Sequence, residues 1–186
     1  MLSSLPNLLT LSRIVMIPVL VALIYVDTPL CRWLALGAFA VAGVTDYLDG
    51  YIARHRNEIS ALGRFLDPIA DKLLIASVIV ILVGTRQIEG LTVIAAIIIL
   101  CREILISGLR EYLAEIKVSV PVSYLAKWKT TIQMLAIGFL IVGTAGPENW
   151  PVVLIGEIGL WAAALLTLTT GYDYLSHGMR HIMASK

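Results

Sequence analysis

Charge is what this chain has least of. Only 15% of its 186 residues are Asp, Glu, Lys or Arg, and the net charge is +1; a soluble domain is about a quarter charged. That scarcity excludes an ordinary water-soluble globule, a disordered tail and a nucleic-acid-binding tail. The near-zero balance points to no acidic partner. Cysteine is scarcer still. Cys31 and Cys101 stand far apart, each followed by an arginine, which excludes a disulfide framework and a zinc site of clustered ligands. Met1-Leu2-Ser3-Ser4 lacks the basic stretch of a secretory signal, and no small-residue cleavage site follows the first apolar region. That region is therefore expected to be a retained span. Membrane β-strands alternate apolar and polar residues, and runs such as 73–83 do not. No repeat or low-complexity tract is present, and the connections are too short to hold a second domain. A single domain over residues 1–186 is expected.

What the chain has in abundance is apolar surface: 59% hydrophobic residues and a mean hydropathy of +0.88. A membrane-crossing helix needs roughly 20 apolar residues. Six such segments run at roughly 7–26, 33–54, 62–84, 91–113, 124–145 and 151–175, with boundaries good to a few residues. The expected fold is all-α: a polytopic membrane protein of six transmembrane helices. Of the 14 basic residues, 12 fall on one side of this arrangement, and only Arg32 and Arg86 on the other. Basic loops mark the cytoplasmic face, so both termini are expected there. Arg13, Asp46, Asp49, Asp67, Asp71, Lys72, Arg102 and Glu103 lie within helix-length segments, all in the cytoplasmic halves. Embedded charge is costly unless it is paired or faces a wet cavity. The expectation is a bundle with a polar cavity open to the cytoplasm.

The carboxylates carry the strongest signal. Asp46, Asp49, Gly50 and Ala53 stand at i, i+3, i+4 and i+7, and Gly63, Asp67 and Asp71 at i, i+4 and i+8. Each set shares one helix face. A short turn between the helices makes them antiparallel neighbours, so the four carboxylates are expected to converge. Four aspartates at one point repel unless cations lie between them. Hard divalent ions prefer carboxylate oxygen, and a pair of such ions suits phosphoryl chemistry. The plainer alternative, ion pairing with Arg54, Arg56, Arg64 and Lys72, accounts for one aspartate better than for four.

The run Asp46-x2-Asp49-Gly50-x2-Ala53-Arg54-x8-Gly63-x3-Asp67-x3-Asp71 resembles, at every specified position, the signature of the CDP-alcohol phosphatidyltransferases. The flanking stretches 6–13, 102–111 and 127–131 are most similar to the branch of that family whose acceptor is sn-glycerol 3-phosphate. The resemblance implies a homodimer in the bacterial inner membrane, with a cytoplasmic active site. It implies transfer of the phosphatidyl group of CDP-diacylglycerol to the acceptor's sn-1 hydroxyl, releasing CMP. By the same resemblance Asp46, Asp49, Asp67 and Asp71 hold two Mg²⁺ or Mn²⁺ ions, and Asp71 is the general base. Gly50, Ala53, Arg54 and Gly63 are expected at the CDP-diacylglycerol site. Asn7 and Thr10 close it from the first helix, or else cap that helix after Pro6.

An acceptor phosphate needs fixed cations, and arginine forks suit one. Arg102, Arg110 and Lys127 are the candidates, with Lys129 beside them; Lys117 and Lys186 read as interfacial. Glu103 and Arg110, seven apart, are expected on one face and within pairing reach. His177 and His181 form an i, i+4 pair without a third ligand and read as an exposed helix end. Two alternatives stay open at this stage. One is the same chemistry with phosphatidylglycerol, serine or an inositol phosphate as acceptor. The other is a divalent-cation transporter using the aspartates as a pathway.

Overall fold

The computed structural model describes the backbone of residues 5–56, 61–116, 118 and 124–184, and the side chains of 10–45, 63, 65–116, 118, 125 and 128–179. Among the described residues there are six α-helices and no strand: α1 (Leu5–Val26), α2 (Pro29–Arg56), α3 (Ala61–Gly84), α4 (Thr92–Glu115), α5 (Tyr124–Val142) and α6 (Val152–Ala184), with one 3₁₀ turn at Gly143–Ala145. Each helix answers to one of the six apolar segments. Large apolar side chains such as Val15, Val41, Val80, Ile97, Leu135 and Leu165 are exposed. Three described stretches are long and apolar enough to cross a bilayer: Thr92–Glu115, Trp128–Ala145 and Val152–Met179. The apolar stretches Thr10–Val26 and Pro29–Thr45 are shorter, and α3 carries Asp67, Asp71 and Lys72 in its first half. This is a membrane protein whose charges are concentrated in particular helices.

Two helix limits differ from the sequence reading, each for a local reason. Asp27 takes a left-handed φ of 58° and ends α1. Thr28 then caps α2: the Cys31 N–H donates to its Oγ1 at 3.3 Å, and Pro29 opens the first turn, where its missing N–H costs nothing. The helix thus starts at residue 29 rather than 33. At the other end, α6 continues to Ala184 rather than 175. Its polar tail sustains itself through side-chain bonds to backbone, Ser176 Oγ to the Asp173 carbonyl at 2.9 Å among them.

The chain divides into two compact units. The first comprises residues 1–88 and 138–153. In it α1 packs on both α2 and α3, around Leu20, Ile24, Phe39, Leu74, Val78 and Leu82. On α3 the buried positions 70, 74, 78 and 82 recur every four residues, the period of one helix face. One end of this unit is tied by Arg32, which is nearly buried. Its Nε donates to Asp27 Oδ1 at 2.6 Å. Its Nη1 donates to the Val142 carbonyl at 3.2 Å and to Thr144 Oγ1 at 3.1 Å. Gly143 (φ +50°) makes this possible, because a Cβ there would lie 2.5 Å from Arg32 Nη1.

The second unit comprises residues 89–137 and 154–186. Its helices α4, α5 and α6 bury Ala96, Ile99, Ile106, Ile137, Leu160 and Ala163. The antiparallel α5 and α6 meet at Ala136 and Gly159, where an added Cβ would stand 2.9 Å from the alanine methyl. Further along α6, Gly171 lies against the aliphatic stem of Arg102 on α4. Thr92 donates to Glu157 Oε1 at 3.4 Å. That bond gives Glu157, embedded near the start of α6, a hydrogen-bonded place in the unit.

Candidate active site

The first unit carries the aspartate signature. The positions of Asp46, Asp49, Gly50, Ala53 and Arg54 fall on α2, and that of Asn7 on α1, but their side chains lie outside the described residues. The convergence of all four carboxylates therefore lies outside them as well. The α3 half is described. Gly63 and Ala70 are buried, Asp67 between them is half-buried, and Asp71 one turn on is exposed. Lys72 turns back to its own helix, donating to the Pro68 carbonyl at 2.9 Å, rather than forming an ion pair with an aspartate.

Across from this face, Thr10 on α1 is wholly buried, and its Oγ1 donates to Asp67 Oδ1 at 2.5 Å. Thr10 sits in the second turn of α1, past the capping position, and its hydroxyl reaches a carboxylate on another helix. A short bond from a neutral hydroxyl to a carboxylate fixes the acceptor's orientation and leaves its second oxygen available. Asp67 and Asp71, on successive turns of α3, present hard oxygen donors, with no histidine or thiol gathered beside them among the described residues, the donor chemistry that suits Mg²⁺ or Mn²⁺. Among the described residues no group of three His, Cys, Asp or Glu side chains is gathered for a metal. Two of the four expected ligands are simply not among them.

The second unit carries the cations. On α4, the buried stripe Ala95, Ala96, Ile99, Ile106 and Leu113 is interrupted by Arg102 and Glu103. Glu103 Oε1 accepts from Lys129 Nζ on α5 and from Arg102 Nη1 at 3.4 Å. Arg102 Nη2 also donates to Thr170 Oγ1 on α6, at 3.3 Å. Lys129 is itself buried. The expected pairing of Glu103 with Arg110 is not what forms. The carboxylate is taken up by Lys129 and Arg102, and the Arg110 guanidinium lies over the Tyr174 ring, 5.8 Å from its centroid. Two turns of helix separate Glu103 from Arg110, about 10 Å along the axis, while α5 brings Lys129 within direct contact. The Lys127 side chain lies outside the described residues. His177 Nδ1 lies 2.8 Å from the Asp173 carbonyl, and this bond to its own helix agrees with the exposed-end reading.

Sequence reasoning under-weighted Lys129 and missed Thr170, Gln133 and Thr167. All four are nearly or wholly buried. The signal was available as polar residues at i, i+4 and i, i+3 spacing within otherwise apolar helices.

A membrane chain with two carboxylates on successive turns of α3 and embedded cations on α4 and α5 has the charged groups that chemistry on phosphorylated substrates calls for. The comparisons make that chemistry specific. The family model for CDP-alcohol phosphatidyltransferase matches residues 3–169, and the chain belongs to that family. A protein of Rickettsia bellii named CDP-diacylglycerol–glycerol-3-phosphate 3-phosphatidyltransferase is 49% identical over 171 residues, covering 92% of this chain and 93% of its own. Proteins of the same name from Haemophilus influenzae and Cereibacter sphaeroides are 38% and 34% identical, with 92% and 98% of this chain covered and 91% and 99% of theirs. Membership in a transferase family removes the cation-transporter alternative.

Proposed function

We propose that this chain transfers the phosphatidyl group of CDP-diacylglycerol to the sn-1 hydroxyl of sn-glycerol 3-phosphate, giving phosphatidylglycerophosphate and CMP. The observation that carries this reading is the unbroken signature from Asp46 to Asp71 within a chain the family model matches over residues 3–169. The printed names of the relatives support the acceptor, as does the embedded Arg102–Lys129 cluster, which a neutral acceptor does not call for. The match runs through segments of both units, which supports one functional domain over residues 1–186.

Dependence on a divalent cation is a family property. We assign two ions, Mg²⁺ or Mn²⁺, to Asp46, Asp49, Asp67 and Asp71. Bound there, they supply positive charge against the pyrophosphate and the departing CMP. The remaining work falls to the chain. Thr10 holds Asp67 in orientation. Asn7, Thr10, Gly50, Ala53, Arg54 and Gly63 form the CDP-diacylglycerol side. Arg102, Arg110 and Lys127 hold the acceptor phosphate, with Lys129 behind them. Asp71 accepts the proton of the sn-1 hydroxyl as its oxygen forms a bond to the β-phosphorus. The bond from that phosphorus to the CMP oxygen breaks. This is catalysis by positioning and charge stabilisation.

The protein acts as a homodimer in the bacterial inner membrane, with both termini and the active site cytoplasmic. The excess of lysine and arginine on that side supports this orientation. The test is CMP release by purified protein given CDP-diacylglycerol and one acceptor at a time. Metal-dependent release with sn-glycerol 3-phosphate is expected. Release with serine, an inositol phosphate or phosphatidylglycerol in its place overturns the acceptor assignment.

A further inference from the structure

Arg102 and Arg110 stand at i and i+8 on α4, so their Cα atoms are about 12 Å apart along the axis. Two guanidinium groups rooted so far apart close on one phosphate only when their side chains are drawn together. Their own charges oppose this, because the two groups repel each other. Something on a neighbouring helix has to hold them.

The helix that does so is α6, which runs parallel to α4. Gly171 faces the stem of Arg102, and Gly178 faces Leu109 and Leu113. A Cβ at Gly171 would lie 3.2 Å from Arg102 Cγ, and one at Gly178 would lie 3.1 Å from Leu109 Cδ2. The two glycines thus let the helices approach closely. Thr170 and Tyr174 stand one turn apart beside them. Thr170 is 5% exposed. Its hydroxyl donates to the Leu166 carbonyl at 2.7 Å, which turns the oxygen's lone pairs to Arg102 Nη2 at 3.3 Å. The Arg110 guanidinium lies over the half-buried Tyr174 ring, 5.8 Å from its centroid. With Leu109 against Gly178, the root of Arg110 is level with a point about one turn beyond Tyr174. Its side chain therefore leans back toward Arg102, as helical side chains do. Anchors about 6 Å apart on α6 thereby serve roots about 12 Å apart on α4.

Neither anchor carries charge. Among the described residues no carboxylate pairs with Arg110. An ion pair would cancel much of its attraction for an anion, whereas a hydroxyl oxygen or a ring face fixes a guanidinium and leaves its charge intact.

We propose that Thr170 and Tyr174 are positioning residues of the acceptor site, holding the guanidinium groups of Arg102 and Arg110 close together so that both reach one phosphate. The proposal rests on the acceptor role assigned to those two arginines above. Thr170 acts by its hydroxyl and Tyr174 by its ring alone.

The experiment measures KM for sn-glycerol 3-phosphate and for CDP-diacylglycerol in purified variants; KM does not depend on the fraction of protein that is folded. Thr170→Val and Tyr174→Leu are each expected to raise the KM for sn-glycerol 3-phosphate about three- to tenfold and to leave that for CDP-diacylglycerol within twofold. Thr170→Ser keeps the hydroxyl and Tyr174→Phe keeps the ring, so each is expected to stay within twofold of wild type for both substrates. In an Arg110→Ala background, Tyr174→Leu is expected to add less than twofold, because its effect passes through that arginine. Equal increases for both substrates, an acceptor KM within twofold of wild type in both Thr170→Val and Tyr174→Leu, or a full further loss in the Arg110→Ala background overturns the proposal. Where Tyr174→Leu yields no active protein, Thr170→Val against Thr170→Ser decides. Failure of the functional reading looks different and takes the proposal with it: the wild-type protein itself then releases no CMP with sn-glycerol 3-phosphate.

Discussion

Replacing Thr10 with valine keeps the outline of the side chain and removes one hydroxyl. Because the side chain is wholly buried, the isosteric change opens no cavity, and it removes the bond to Asp67 Oδ1 at 2.5 Å. A hydrogen bond to a charged group contributes about 1.5–3 kcal/mol, which corresponds to roughly 10- to 100-fold in an equilibrium constant. Part of this loss falls on stability. The rest falls on whatever depends on the orientation of Asp67. Groups that orient a metal ligand from behind contribute about 10- to 100-fold to metal affinity, so the two estimates agree. The assay is a Mn²⁺ binding isotherm on detergent-solubilised protein, run beside thermal unfolding without metal. Thr10→Val is expected to weaken Mn²⁺ binding by about tenfold or more, and Thr10→Ser to restore most of it. Metal affinity within twofold of wild type, with only the unfolding temperature lowered, would show that Thr10 supports the helix packing and does not position a ligand.

The remaining predictions concern the two units in turn. Asp71→Asn is expected to abolish CMP release while CDP-diacylglycerol still binds by equilibrium dialysis; near-normal turnover removes Asp71 from the base role. Chelation with EDTA should stop turnover, and Mg²⁺ or Mn²⁺ should restore it. Failure of both to do so refutes the metal assignment. Arg110→Ala should raise the KM for sn-glycerol 3-phosphate about tenfold and leave that for CDP-diacylglycerol within twofold; equal effects on both argue against an acceptor role. Arg32→Met strands the buried Val142 carbonyl and should cost about 2 kcal/mol. The ion pair adds little to this, because Asp27 is 42% exposed. An unchanged melting temperature would refute the role of Arg32 in tying this end of the unit.

Much of this was legible in the chain because helix periodicity is local. Gly63, Asp67 and Asp71 share a face by spacing alone, and the six apolar segments become six helices within a few residues at most limits. Spacing does not say which neighbour a polar group meets. Thr10 and Asp67 are 57 residues apart, and only the packing of α1 on α3 joins them. Arg32 looked like a lone charge on the poorly charged side. Its partners, the Val142 carbonyl and Thr144, lie more than 100 residues away. Glu103 had a same-helix candidate in Arg110 and took a cross-helix one in Lys129, since direct contact between helices wins over two turns of separation. Thr170 was overlooked because a single polar residue in an apolar helix is individually uninformative. Its significance depends on burial and on the guanidinium that meets it, and neither is a property of the sequence.

A carboxylate stands in the middle of the cation cluster, and the packing shows why it belongs there. Arg102 and buried Lys129 lie among apolar residues of α4, α5 and α6, where two uncompensated cations would repel each other and suffer the full cost of lost solvation. Glu103, 23% exposed, takes one hydrogen bond from each and leaves the three-residue set with a net charge of one positive unit. The cations are thereby held in place, and the set keeps a net positive charge, which the proposed acceptor role requires. Arg102 Nε is still unengaged among the described residues. The aspartate unit meets the converse problem in the same way. Thr10 fixes Asp67 with a neutral hydroxyl and adds no charge, so the carboxylate keeps its full attraction for a cation. In both units a permanent protein partner orients an embedded charge while leaving one face of it unsatisfied. That unsatisfied face is what the proposed reaction requires.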